Sequence, residues 1–257
     1  MANILDRYGI KEVADVTFYN IDKSSGAPTN PVLYLDTLKV STIEQTSENV
    51  SARGGKGNAE LVTWDYGKEI TVTLEDALYS AKSMAVQFGD GTVDGITAEG
   101  ENTYVMKTVW KDNLPEGTKA TATQVTATVD GKEFKLTAVA FYTAEGEQVK
   151  TAEADYAYAT GKVEVVGHQI DVSANSFPGT YYVTGDTYAR SEVSGEDEFF
   201  QFIIPKAKML AESNTITLEA EGDPTVFSMN LKVLRPKDGI MMKLVQYTIP
   251  TGTEAGE

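Results

Sequence analysis

The chain has 257 residues, 41% hydrophobic and 23% charged, with no cysteine and a formal net charge of −16. Such length and apolar content suit one large β-rich domain, or a domain with a smaller insert, and exclude wholesale disorder. The 38 acidic and 22 basic residues are spread along the chain, which excludes a tight nucleic-acid binder, because such binding needs clustered cations to displace phosphate counterions.

Without cysteine there are no disulfides, thiolate nucleophiles or cysteine-ligated metals. The opening MANILDRYGIKEVADV carries charges and no apolar signal-peptide core. No apolar run approaches the roughly 20 residues of a bilayer span, so a cytosolic chain is expected.

In chain order, ADVTFYNI (14–21) alternates apolar and polar residues as a strand does, and KSSGAPTNP (23–31) is a loop broken by Gly and Pro. VLYLDTLKVSTIEQTSENV reads as one or two strands, with Leu33, Leu35, Leu38, Val40 and Ile43 on their apolar sides. AELVTW and KEITVTL are strands on either side of DYG, read as a hairpin turn. The period then lengthens. In TLEDALYSAKSMAVQFG, Leu74, Leu78, Ala81, Ala85 and Phe88 share one helical face, which predicts a helix over about 74–88. Thr73 suits its N-cap, Glu75 and Asp76 its positive first turn, and Gly89 its end.

Residues 93–166 change texture. Short alternating bursts rich in Thr and Ala (TYVMKTVW, ATQVTATV, EFKLTAVAFY, YAYAT, KVEVV) are separated by turns, and predict a small inserted β domain. Strands resume with TYYVTGDTYAR, FFQFIIP, TITLEAEG, TVFSMNLKVLRP and IMMKLVQYTI. PKAKMLAES reads as a short helical turn with Pro205 at its first position, and the polar PTGTEAGE as a frayed tail.

Several motifs invite chemistry and fall short of it. RGGKGN lacks the GxxxxGK[ST] order of a phosphate loop, and a strand follows it where a helix is needed. In DGTVDGITAEGE, Asp90, Asp94, Gly95 and Glu101 fit four positions of a calcium loop, but Thr92 spoils a fifth and a strand-like segment follows. An acidic turn is the simpler reading. His168 is the sole histidine, too few for a zinc site and without a nucleophile signature nearby. Asn49 opens a glycosylation pattern that has no signal sequence to go with it. The aromatics, 13 Tyr, 9 Phe and 2 Trp, fall mostly in alternating segments. They suit core and cross-strand packing, and also a sugar-binding platform.

NILDRYGIKEVADVTFYNI, ARGGKGNAELVTWDYGKEITVTLEDALYS and the closing FPGTYYVTGDTYAR, FFQFIIPKAKM, TITLEAEGDPTVFSMNLKVLRP and MMKLVQY together resemble the tail tube (major tail) proteins of long-tailed bacteriophages. The resemblance covers about residues 3–90 and 167–249. It implies a mainly β chain: a β-sandwich or barrel core (1–92 and 167–257), one flanking helix, and a small β domain (93–166) carried outside the tube.

The resemblance also implies a function. Copies would close into hexameric rings, and the rings would stack into a tube that conducts DNA into the host. Ser51, Ala52, Arg53, Gly54, Gly55, Lys56, Gly57 and Asn58, within TSENVSARGGKGNA (46–59), would form a mobile loop that reaches a neighbouring subunit. Partners would be further copies of the chain and other tail proteins: tape measure, sheath if the tail contracts, baseplate or terminator. DNA would pass without specific binding, and no membrane, cofactor, metal or catalytic residue is called for. The location would be the virion tail, assembled in the host cytoplasm. The competing expectations are a β-rich carbohydrate-binding or adhesion module and, more remotely, a carboxylate-driven glycan hydrolase.

Overall fold

The structure is a computed structural model that describes residues 6–96, 104–212, 216 and 225–248. Glu101, nearly all of TITLEAEG and the tail after residue 248 lie outside the described residues. The first elements are β1 (Tyr8–Ile10), β2 (Asp15–Ile21), β3 (Pro28–Leu35), β4 (Leu38–Gly54), β5 (Ala59–Asp76) and the helix α1 (Ala81–Phe88). Next come β6 (Asp94–Ile96), β7 (Tyr104–Trp110), β8 (Gln124–Val129), β9 (Lys132–Tyr142), β10 (Gln148–Val149), β11 (Tyr158–Glu164) and β12 (Gly167–Gln169). Last are β13 (Thr180–Ser191), β14 (Asp197–Met209), β15 (Phe227–Val233) and β16 (Lys243–Tyr247). The chain is mainly β and its sheets are antiparallel. Among the described residues, no helix is long and apolar enough to cross a membrane.

Two compact units emerge: Met1–Val93 with Ile170–Glu257, and Asp94–Gln169. In the first, nine strands form one sheet in the order β3-β2-β13-β14-β15-β5-β4, with β1 on β13 and β16 on β14. The two ends of that order, β3 and β4, are consecutive in the chain. Leu33, Leu35 and Leu38 from those ends share one core with Val16, Phe18, Val183, Ile204, Met229, Leu231 and Val72. A sheet whose two ends meet in one core must curl around it, which is how a sandwich or barrel hides its apolar face.

Period-2 alternation places these side chains: Tyr181 and Val183 in β13, and Phe227, Met229, Leu231 and Val233 in β15, are buried while their neighbours are not. β14 keeps its apolar side inward by a bulge. Tyr181 pairs with Ala207 but Val183 with Ile204, so two steps on β13 match three on β14. The extra residue shifts the phase, and Phe202 and Ile204 before it and Ala207 and Met209 after it all face the core. Pro205 lies in this bulge, one of the few places where a strand tolerates a residue without N–H. The helical turn expected over PKAKMLAES is therefore strand as far as Met209.

The helix expected over 74–88 begins only at Ala81. Leu74 continues the alternation of Ile70 and Val72, and Thr71–Asp76 pair with β15. The interstrand ladder holds this segment as strand. Thr73 caps nothing; its hydroxyl donates to Asn230 Oδ1 at 3.0 Å. The cap is Ser80, whose Oγ accepts from Ser83 N at 3.0 Å, while Ser80 N donates to Ser83 Oγ at 2.8 Å. Val86 joins the core, and Gln87 Nε2 donates to the Ser228 carbonyl at 2.6 Å, so α1 is tied to β15.

The second unit has a five-stranded sheet in the order β10-β9-β11-β7, with β8 also on β9, and a short β6–β12 ribbon. Val109, Ala127, Leu136, Phe141 and Ala159 fill its own core. YAYAT and KVEVV, read as separate bursts, merge in the single strand β11.

Candidate assembly interface

β4 and β5 are much longer than the core they serve. The core takes Ile70, Val72 and Leu74 from β5, whereas every residue from Ala59 to Glu69 is exposed. The hairpin beyond Thr46 and Glu69 is thus an arm exposed on both faces. Nine residues, Thr46–Gly54, at about 3.4 Å each give it a reach of about 30 Å.

The DYG segment, expected as a hairpin turn, lies inside β5. Thr46 pairs with Glu69 but Glu48 with Tyr66, two steps against three, so a bulge forms at Gly67–Lys68, at the end of DYG. Gly67 sits in it at φ +63°, a left-handed conformation that favours glycine. This bulge decides the character of the arm. Val62, Trp64 and Tyr66 share the even phase of Ile70, Val72 and Leu74, and without the extra residue all six would lie on one side. With it, Tyr66 comes opposite Glu48, Trp64 opposite Val50 and Val62 opposite Ala52. That face of the ribbon continues the side of the sheet away from the core.

The arm is consequently two-faced. One side presents Val50, Ala52, Val62, Trp64 and Tyr66, with Trp64 55% and Tyr66 53% exposed. The other carries Asn49, Ser51, Thr63, Asp65 and, past a second bulge at Leu61, Arg53 and Glu60. Its polar groups satisfy one another. Ser51 Oγ donates to Glu60 Oε1 at 2.7 Å, Arg53 Nη2 donates to Glu60 Oε2 at 3.0 Å, and Thr63 also bonds Glu60. The hydroxyls of Thr63 and then Ser51 hold the Glu60 carboxyl below its ordinary range.

The eight residues singled out in the sequence fall at the end of this arm. Ser51, Ala52, Arg53 and Gly54 are the last residues of β4, and Gly55, Lys56, Gly57 and Asn58 form the turn. Gly55, Gly57 and Asn58 have φ of +78°, +88° and +51°, and Asn58 N donates to Gly55 O at 3.2 Å. The stretch read as a mobile loop is thus the closed end of a paired ribbon. Arg53, expected in the loop that reaches a neighbouring subunit, is engaged by Glu60 of its own hairpin. Lys56 makes no ion pair among the described residues. Sequence reading missed the apolar side, Val50, Val62, Trp64 and Tyr66. Alternation marked Val50, Val62 and Trp64 as strand and DYG put Tyr66 in a turn, but the side they face depends on the bulge.

The remaining motifs are not brought together. Asp90 accepts from its own turn at Thr92 N (2.9 Å), and Asp94 pairs with Gln169 in the β6–β12 ribbon. Glu101, the twelfth position of the proposed calcium loop, lies outside the described residues. His168 is an exposed residue of β12 opposite Gly95. No cluster of three His, Asp or Glu suited to a metal occurs among the described residues.

A curled β core with a projecting hairpin that is apolar on one exposed face defines a mainly β protein. The chain belongs to the YomU/Tube protein family, whose model matches residues 8–246. That membership agrees with the tail tube resemblance and makes the chain a structural tube protein of the phage tail. No curated protein matches the sequence significantly.

Proposed function

We propose that copies of this chain close into rings, hexameric as in the tail tubes it resembles, and that the rings stack into the tube through which DNA is ejected. The observation that carries this reading is the arm. A soluble chain leaves a ribbon with Trp64, Tyr66, Val50 and Val62 on one face only if something covers that face, and the repeated partner in a tube is another copy. The outer edge of β4 is unpaired among the described residues, so a neighbouring strand can extend the sheet there. A head-to-tail contact of this kind closes into a ring when its rotation divides the circle, and it repeats along an axis when the arm reaches the next ring.

On this reading Ser51 to Asn58 are the end of the inter-subunit arm, the Asp94–Gln169 unit is carried on the outside of the tube, and the protein performs no catalysis. The net charge of −16 keeps the DNA mobile in the bore by repelling phosphate. Tape measure, baseplate or terminator proteins, and a sheath if the tail contracts, meet the tube in the virion tail, which assembles in the host cytoplasm.

The test removes the arm without touching the core. Thr46 and Glu69 are directly paired, so they can be joined through an Asn-Gly turn, which suits a two-residue hairpin. The truncated protein is expected to fold, and to give no rings or rods in negative-stain images under conditions where the unmodified protein forms them. Normal rods from the truncated chain would sink the proposal.

A further inference from the structure

The second unit carries a surface that tube assembly does not call for. Its sheet buries one face, on which Val109, Ala159 and Phe141 lie side by side across β7, β11 and β9. One residue further along each strand, on the open face, Trp110, Tyr158 and Tyr142 stand directly opposite one another. The tyrosines stack, with centroids 5.4 Å apart and planes 12° from parallel. The indole meets Tyr158 at 5.4 Å and 72° and is 62% exposed.

From this we infer that the row is a binding site for a neutral polysaccharide. Three aromatic rings on the solvent side of a sheet contribute nothing to the core beneath it, and an ordinary outer face is polar at these positions. The tyrosines stack on one another and are half-buried, and Trp110 is the most exposed ring of the row. A sugar ring has apolar C–H faces and a rim of hydroxyls, so it needs such an aromatic surface beside hydrogen-bonding groups. Thr108 and Thr160, paired one step along the same face, supply hydroxyls, and so do the two tyrosines.

Charge selects the class of polymer. Lys135 and Lys162 on this face are offset by Glu133 and Glu164, and Lys162 already lies over the Tyr104 ring at 3.8 Å. The face has no excess of cations to hold an anionic chain, and the protein at −16 repels one. Single-stranded nucleic acid, which also stacks on aromatics, is disfavoured for the same reason.

Native gels cast with a neutral glycan (β-glucan, galactomannan or glycol chitin) measure this on the full chain, with alginate as the anionic comparison. The unmodified protein is expected to be retarded in at least one neutral gel. Trp110→Ala and Tyr158→Ala should weaken that retention tenfold or more. Trp110→Phe, which keeps a ring, should retain most of it. Amide-exchange protection of Phe141 and Ala159 should be unchanged, showing that the unit is still folded. Four results would each overturn the inference: no retardation in any neutral gel, retardation in alginate alone, retention indifferent to Trp110→Ala, or a changed sedimentation of Trp110→Ala without any glycan effect, which would assign the face to a second copy. None of these touches the arm, so this inference and the tube assignment stand or fall separately.

Discussion

Trp64→Ser isolates the apolar side of the arm from the fold. A tryptophan presents up to about 250 Å², and 55% of this one is exposed, which leaves about 140 Å² for a partner to cover. At roughly 25 cal/mol per Å² its burial contributes about 3 kcal/mol per contact. With 1.4 kcal/mol per tenfold change, the association constant of each contact falls roughly a hundredfold. The same change barely affects the monomer. It loses one exposed cross-strand pair with Val50, of the order of 0.2–1 kcal/mol, or no more than about 4 °C in Tm for a unit of this size. Sedimentation velocity across a concentration series locates the polymerisation threshold, and calorimetry gives Tm. The expected result is a threshold raised roughly a hundredfold with Tm nearly unchanged. If Trp64→Ser polymerises at the unmodified threshold, the apolar face is not the contact. If its Tm collapses, the face belongs to the fold and the reasoning fails.

Other perturbations address the tip, the core and the acid response. Deleting Gly54 to Gly57 should leave the core melting transition in place and raise the polymerisation threshold; an unchanged threshold in sedimentation would relieve the tip of any role in contact. In Gly185→Ala the new Cβ would lie 2.1 Å from Cε1 and Cζ of the buried Phe202 ring. Overpacking of this kind costs about 1–3 kcal/mol, seen as a Tm several degrees lower. The loss should shrink when the same change is made beside Phe202→Leu, and an equal loss in both backgrounds would contradict the ring clash. Asp22 closes the turn between β2 and β3: its carboxylate accepts from Ser24 Oγ, Ser25 N, Ser25 Oγ and Ser24 N. These bonds, the Ser24 hydroxyl first, hold its pKa far below the ordinary carboxylate value. A depressed carboxyl stabilises above its unfolded pKa and loses that contribution as pH falls through the folded one. Amide protection at Ala27 should therefore exceed that of Asp22→Ala equally from pH 7 to about pH 4, and converge only in stronger acid. Convergence near pH 5 would show that the turn does not hold the ionised form.

By itself the sequence determined the class of the fold and many of its strands. SMNLKV alternates throughout, and ADVTFYNI and TYYVTGDTYAR over most of their lengths, and alternation is a local property that needs no partner to be read. The motifs by which the chain resembles tail tube proteins were likewise legible, and family membership over residues 8–246 bears that resemblance out. The tertiary structure decided what local periods leave open. Leu74 fits a helical face with Leu78 and a strand face with Val72; pairing with β15 chose the strand and left α1 only the eight residues Ala81–Phe88. Pro205 reads as a helix start until the pairing of β13 with β14 makes it a bulge.

The arm is the clearest case. Its sequence shows six residues from Val62 to Leu74 in one phase, which on a regular strand means one buried side. One extra residue at Gly67, visible only in the register between β4 and β5, turns the outer three to the opposite face. The reason is geometric: strand side chains repeat every two residues, so a single inserted residue reverses every side chain beyond it. Composition cannot reveal that reversal, yet it turns a core pattern into an exposed apolar face.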